Sequence, residues 1–267
     1  MDSTVDIPDG SFTSTLVGLF QKGLRYSTVL DLGCADGQFC LEHSAVGLFP
    51  GAVFVNIDAN PIYEDSLKAI KETAGGHYLI AAVTDRSGEV EMMTSAHPYW
   101  NSLCPKEHRY WDAIRHLHRD DQATMKVAAT TLDDVARRFN LPPPFLIKLD
   151  LQGSELEALR GGARVLKNTS VVICETSLDE FQPINRAMVA AGFDLLDLTS
   201  LERLDDRSLS WFYPVYLSRR FAHLNTPPDW EVTMTEKVVE AQDHRRAAIL
   251  KQNAWLLGLI QTARGSG

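Results

Sequence analysis

The feature that most constrains this chain is a series of short apolar runs alternating with helix-patterned segments. The runs Thr28–Leu32, Val53–Asp58, Tyr78–Val83, Phe145–Asp150 and Val171–Glu175 are nearly continuous in apolar character, as strands buried on both faces must be. Helical patterns lie between them. Pro61–Thr73 has Asn60 as a cap and Pro61 at its first helical position. Thr131–Phe139 is stopped by Pro142-Pro143-Pro144. Ser154–Leu166 follows, and Pro183–Ala191 ends at Gly192 as a C-terminal cap. This order predicts an α/β domain whose parallel strands are joined by crossover helices. After Gly192, Phe193–Leu198 and Leu209–Leu217 predict an antiparallel hairpin at the sheet edge, and Pro214 favours an edge position for the last strand.

Over 267 residues, 45% hydrophobic and 23% charged, the composition is that of a globular chain and excludes a wholly disordered or fibrous one. We expect one domain over residues 1–224, with an insertion at 94–121 rich in His, Tyr and Trp, and a helical C-terminal extension over 225–267. In that extension Val238, Ile249, Leu250, Leu256, Leu257 and Ile260 leave an apolar stripe. Packing on the parent domain is its default, and a lid or a homodimer contact through the C-terminal helix is the alternative. The net charge of −9 argues against a nucleic-acid partner, which would want clustered Lys and Arg. Cys34, Cys40, Cys104 and Cys174 form no C-x-x-C pair and no zinc spacing. No signal-like segment and no apolar run approaching the roughly 18 residues of a membrane span is present, so a cytoplasmic location without a membrane span is expected.

The strongest local signal is VLDLGCADGQF, Val29–Phe39. Asp31 stands at a strand end, Gly33 allows a tight turn, and Asp36 and Gly37 lead into a helix. Such a turn lies at the carboxyl ends of the strands, where open α/β sheets bind ligands. A dinucleotide fingerprint would place glycines at positions 35 and 38, but Ala35 and Gln38 stand there. The acidic residue before the turn would repel a pyrophosphate and suits an ammonium group instead, which disfavours NAD. Asp58, closing the second run, is placed to accept from ribose hydroxyls. Ala82, Val83 and Thr84 fall where an adenine ring would lie.

These residues, with TTLDDV (Thr130–Val135) and IKLDLQGSELEALRGG (Ile147–Gly162), resemble the FkbM-type methyltransferases in order over Thr28–Leu217. The resemblance implies a Rossmann-like class I methyltransferase fold, with a seven-stranded, mostly parallel sheet whose last strand is antiparallel. It implies S-adenosyl-L-methionine as cofactor, with Asp31, Gly33, Asp36, Gly37, Asp58, Ala82 and Val83 around it. It further implies methyl transfer to a hydroxyl oxygen of a saccharide-containing or natural-product acceptor. Transfer to nitrogen or a carboxylate, or a non-catalytic methyltransferase-like binding module, are the alternatives. One departure stands out. Relatives often carry Glu where this chain has Gln152, so one negative charge is missing and no metal site is expected.

Methyl transfer to an alcohol needs an aligned oxygen and a place for its proton. Asp150 is the first candidate to orient or deprotonate the acceptor, Glu175 the second and His97 the third. Tyr99, Trp100, Asn101 and Glu155 are candidates for contacts with a small-molecule or glycan-type acceptor. Lys148 could face the other side of the sheet as a buried partner for a carboxylate. His108, His116 and His118 read as exposed histidines, because His116-x-His118 lacks the spacing of a zinc site.

Overall fold

In the computed structural model, residues 7–43, 45–95, 97–103, 124–204, 208–225, 245–247, 249 and 251 are described. Ser11 opens α1 (Phe12–Gln21) by accepting the Ser14 N–H on its side chain. β1 (Thr28–Leu32) leads through the glycine turn into two single-turn helices, α2 (Gln38–Leu41) and α3 (Ala45–Leu48), and then β2 (Val53–Asp58). Asn60 caps the next turn as its sequence suggests, accepting from the Ile62 N–H at 3.1 Å ahead of α4 (Glu64–Ala74).

The third apolar run is not one strand. It divides at Ala81 into β3 (His77–Ile80) and β4 (Ala82–Val83), which belong to different sheets. β4 pairs in a small second sheet, in the order β4-β6-β5, with β5 (Gly88–Met93) and β6 (Thr124–Thr130). Those two strands escape a search for continuous apolar runs because they are half-buried, and β5 alternates Glu89, Val90, Glu91 and Met92. Thr131 then caps α5 (Leu132–Arg138) by accepting the Asp134 N–H at 3.1 Å, and β7 (Phe145–Leu149) follows.

The expected single helix Ser154–Leu166 is two, α6 (Glu155–Arg160) and α7 (Ala163–Leu166), broken at Gly161-Gly162. A Cβ on Gly161 would lie 2.3 Å from the Thr84 carbonyl oxygen, and one on Gly162 would lie 2.7 Å from Leu132. The break lets this segment close against α5. β8 (Thr169–Cys174) and β9 (Thr176–Ser177) precede α8 (Leu178–Ala190). That helix begins ahead of Pro183, with Asp179 and Glu180 in its first turn favoured by the helix dipole, so Pro183 lies inside it. β10 (Phe193–Thr199) and β11 (Trp211–Ser218) complete the chain of strands.

The main sheet runs β3-β2-β1-β7-β8-β11-β10. The strands from β3 to β8 are parallel, and β11 is antiparallel to both β8 and β10. This is the expected seven-stranded sheet, with β9 as a short addition beside β11. Pro214 does not mark the edge, because β10 is the edge strand and β11 lies inside it. On the β8 side the pairing of β11 is interrupted between Val215 and Phe212, which is where the missing N–H of Pro214 falls.

Alternation along the central strands divides the core. Leu30, Leu32, Ile147, Leu149 and Val172 pack on one face of the sheet. Val29, Leu146, Val171 and Ile173 pack on the other, with Phe12, Leu16 and Leu19 of α1. Chain contacts divide the protein into Met1–Leu224 and Asn225–Gly267. In the second unit Arg245–Ala247, Ile249 and Lys251 are helical. Val238, Leu250, Leu256, Leu257 and Ile260, and Cys104, His108, His116 and His118 of the insertion, lie outside the described residues. No described helix is long and apolar enough to cross a membrane.

Gly161→Ala should destabilise the fold by about 1–3 kcal/mol, the usual cost of overpacking, because its Cβ meets a backbone carbonyl. Gly47→Ala, where nothing lies within 4 Å, should cost nothing. Urea unfolding of both variants tests the pair.

Candidate active site

A cavity of about 380 Å³ opens at the carboxyl ends of the central strands. Its position follows from the sheet. Asp58 ends β2, Asp150 follows β7 and Glu175 follows β8, and parallel register brings these ends into one row. The Glu175 N–H donates to the Leu149 carbonyl at 2.7 Å, which seats Glu175 beside the β7 turn.

The floor is built by the glycine turn. Gly33 has φ +69°, and a Cβ there would lie 1.8 Å from the Asp150 carbonyl oxygen, so no other residue fits. Ala35 is also left-handed, at φ +47°. Its N–H donates to Asp58 Oδ2 at 2.9 Å, and the Asn60 N–H donates to Asp58 Oδ1 at 2.8 Å. Burial pushes the Asp58 pKa upward, and these two backbone donors oppose the shift. Each carboxylate oxygen still has a second acceptor position to offer.

Lys148 lies at the centre of the site. Its Nζ donates to the Gly33 carbonyl at 3.0 Å and stands 3.3 Å from Asp150 Oδ2 and 3.5 Å from Asp31 Oδ1. Burial works against its charge, but Asp150 and Asp31 together hold its pKa above the ordinary lysine value. Asp31 is fully buried, and that burial pushes its pKa up to about 6 even with Lys148 beside it. Asp150 goes the other way. Burial raises its pKa, but Lys148, Glu175, Tyr213 and Gln152 outweigh that and hold it below the usual carboxylate range. The Tyr213 hydroxyl donates to Asp150 Oδ2 at 2.9 Å. The Gln152 amide donates to both Asp150 Oδ1 and Glu175 Oε2 at 2.9 Å.

A short loop closes the opposite wall. Reciprocal hydrogen bonds between Met93 and Ser102 pinch its ends, and the Ser102 hydroxyl donates to the Gln152 carbonyl at 2.7 Å. Within the loop Asn101 Oδ1 accepts the Ser95 N–H at 2.8 Å, and the rings of His97 and Trp100 lie 4.8 Å apart.

The cavity thus gathers Gly33, Asp58, Ala82, Val83, His97, Tyr99, Trp100, Asn101, Asp150 and Glu175 from the residues singled out in the sequence. It does not gather Asp31, Asp36, Gly37 or Glu155. Asp31 shares a sheet face with Asn56 and Lys148. Asp36 accepts from the Tyr99 hydroxyl at 2.9 Å. Gly37 backs onto α4, where a Cβ would lie 2.1 Å from Ile70 Cδ1. Glu155 is buried and turns back on its own loop, where Oε1 accepts the Leu151 and Gly153 N–H groups at 2.8 and 3.2 Å. Its carboxylate braces the β7 turn.

Other cavity residues carried no sequence signal. Ser177, Glu180, Ser210 and Trp211 line it from β9, α8 and the approach to β11. Tyr213 reaches Asp150 because β11 runs back along β8, which places it across from Glu175.

The profile of the methyltransferase FkbM domain matches residues 31–195. The chain belongs to the FkbM methyltransferase family. A methyltransferase FkbM from Methylobacillus flagellatus KT is similar at 17% identity and TM-score 0.44, over 76% of this chain and 48% of that one. A precorrin-6y C5,15-methyltransferase from Geobacter metallireducens GS-15 is similar at 14% identity and TM-score 0.40, over 76% and 86%. Aeropyrum pernix fibrillarin, solved with natively bound S-adenosyl-L-methionine, is similar at 12% identity and TM-score 0.39, over 75% and 74%. No curated protein sequence matches the chain.

As an FkbM methyltransferase the protein uses S-adenosylmethionine, and the cavity fits that group. Its volume lies in the range of small-molecule sites. Gly33 leaves the turn without a side chain, Asp58 offers spare acceptor positions at the end of β2, and Ala81, Ala82 and Val83 form a small apolar wall beyond it.

Asp58→Ala should weaken S-adenosylmethionine binding about tenfold or more in calorimetric titration, the scale of losing about 1.5–3 kcal/mol of charged hydrogen bonding. NAD should bind far more weakly than S-adenosylmethionine to the wild type.

The Asp31 shift gives a second expectation. A carboxyl whose folded pKa is about 6, above the ordinary 3.8, binds more protons folded than unfolded, so its contribution to stability falls as pH rises between those values. The unfolding free energy of Asp31→Asn relative to wild type should therefore move in favour of the variant from about pH 4 to about pH 6 and stay level above. Denaturant unfolding at several pH values checks this.

Proposed function

We propose that this methyltransferase moves the methyl group to a hydroxyl oxygen of a saccharide-containing or natural-product acceptor. The observation that carries the reading is the carboxylate pair Asp150 and Glu175 at the β7–β8 end of the cavity. Asp58 marks the other end, two to three strands away, or about 10–14 Å at the usual strand spacing. The cofactor occupies the β2–β4 end in this reading and the acceptor the β7–β8 end.

Carboxylates accept hydrogen bonds from hydroxyls, whereas a carboxylate acceptor would be repelled and an amine held in its unreactive protonated form. Glu180, Ser177 and Ser210 add hydrogen-bonding groups there, and Trp100 and Trp211 add aromatic surface for a ring.

Bound S-adenosylmethionine supplies a methyl group on a sulfonium. The chain supplies alignment and a destination for the acceptor proton. Asp150, already charged and held by Lys148, Tyr213 and Gln152, orients the hydroxyl. Asp150 takes the hydroxyl proton as the carbon–oxygen bond forms and the methyl–sulfur bond breaks. Glu175 beside it is the second candidate for that proton, and His97, on the loop that closes the cavity, is the third. Transfer proceeds without an added divalent metal, a reading supported by the neutral Gln152 between the carboxylates. A reducing, cytoplasmic setting suits the buried free thiols of Cys34, Cys40 and Cys174.

Methyl-labelled cofactor and fractionated glycolipid and natural-product extracts test the acceptor class. An O-methyl ether is stable to alkali and carries no charge. A label lost in mild alkali would mean a methyl ester, a basic labelled product an amine, and no product from any fraction a binding module. Asp150→Asn and Glu175→Gln should each lower turnover about 10²-fold or more while leaving cofactor affinity nearly intact, the scale of losing a general base or its equivalent. A chelator should leave the wild-type rate unchanged. Inhibition reversed by magnesium or calcium would overturn the metal-free reading.

A further inference from the structure

Two residues that line the cavity carry a buried hydroxyl oxygen with no hydrogen-bond partner among the described residues, Tyr63 and Ser210. Buried hydroxyls are nearly always paired, so one left open on a cavity wall marks a place where a ligand group completes it. Ser210 stands on the approach to β11, at the acceptor end. Tyr63 stands just past Asp58, at the end given to S-adenosylmethionine, a ligand whose groups are known.

The turn that fixes Asp58 also sets Tyr63. Asp58 Oδ1 accepts the Asn60 N–H, and the Asn60 carbonyl accepts the Tyr63 N–H at 3.2 Å across the single turn Pro61–Tyr63. Tyr63 is 8% exposed and packs with Cys34, Leu67 and Ile70, and the Tyr99 ring lies 5.8 Å from its own. Burial, and after it the charge of Asp58, push the phenol pKa above the ordinary tyrosine value, so the group keeps its proton and remains a donor.

An ionised Asp58 can only accept. A ribose hydroxyl that donates to it keeps lone pairs of its own, and away from water these want a donor. A protonated phenol close to the same carboxylate supplies one. We propose that the Tyr63 hydroxyl is a cofactor-binding group that donates to one of the two ribose hydroxyl oxygens of S-adenosylmethionine. Asp58 and Tyr63 then read the ribose as acceptor and donor. The assignment rests on the reading that the ribose lies against Asp58.

The test is calorimetric titration of S-adenosylhomocysteine and its 2′-deoxy and 3′-deoxy analogues into the full chain, with no acceptor present. Wild type, Tyr63→Phe and Asp58→Ala are compared. Tyr63→Phe keeps the ring among its neighbours and removes a hydroxyl without a partner, so it should melt no lower than wild type in the absence of ligand. It should bind S-adenosylhomocysteine about three- to tenfold more weakly, the scale of one neutral hydrogen bond. In the wild type both analogues should bind more weakly than the parent compound. In Tyr63→Phe the penalty for one analogue should shrink by about the same factor and the penalty for the other should stay. In Asp58→Ala both penalties should shrink.

Equal binding of the parent compound and both analogues by the wild type overturns the ribose position at Asp58, and the proposal with it. Penalties that shrink in Asp58→Ala but stay undiminished in Tyr63→Phe overturn the proposal alone. A Tyr63→Phe variant that melts lower and binds as tightly as wild type overturns it as well. The hydroxyl would then be bonded within the protein, to Asp36, whose Oδ1 is also buried without a partner among the described residues.

Discussion

A lysine ammonium buried at the end of the central strand β7 is the interaction on which the rest of the site depends. Leaving such a group unpaired away from water would cost about 3–5 kcal/mol, a large share of the net stability of a domain. Lys148 is 7% exposed, and it survives as a charge because Asp31 on β1 and Asp150 beyond β7 lie on either side of it. Its bond to the Gly33 carbonyl adds a third tie. The turn after β1 and the turn after β7 are thereby drawn to the same cation. They come so close that position 33 has no room for a side chain against the Asp150 carbonyl. The two carboxylates divide the cation unequally. Asp150 gains enough from its other donors to stay below the ordinary carboxylate range, whereas Asp31, wholly out of water, is raised.

Much of this was legible in the sequence because parallel strands put their chemistry in predictable places. The last residue of an apolar run, or the one just after it, emerges at the carboxyl edge. Asp58, Asp150 and Glu175 could therefore be placed in one row before their contacts were known. Gly33 was legible for the same reason, since a strand turning sharply beside a ligand needs a residue without a Cβ. The family resemblance added S-adenosylmethionine, which spacing alone does not specify.

What could not be read depends on register and on side-chain direction. Asp31 and Gly33 are two residues apart, yet Asp31 points down a sheet face towards Asn56 and Lys148 while Gly33 forms the cavity floor. Glu155 has the spacing of a cavity residue, but its carboxylate is used by two N–H groups of its own turn. The run Tyr78–Val83 looks uniform, and only the pairing of Ala82 and Val83 with β6 shows that its end has left the main sheet. Tyr213 and Trp211 arrive on a strand that returns antiparallel to β8, a pairing between segments distant in sequence that no local pattern announces.

The loop that carries His97, Tyr99, Trp100 and Asn101 shows how these parts constrain one another. It is fastened at Ser102 to the turn bearing Gln152, and through the Tyr99 hydroxyl to Asp36 on the glycine turn. These anchors belong to the neighbouring turns after β1 and β7. The wall facing the carboxylates therefore takes its position from both turns at once. Lys148 joins those same two turns from below. The same pair of turns is therefore tied together by the loop on one side and by Lys148 on the other, over strands that are themselves paired in the sheet.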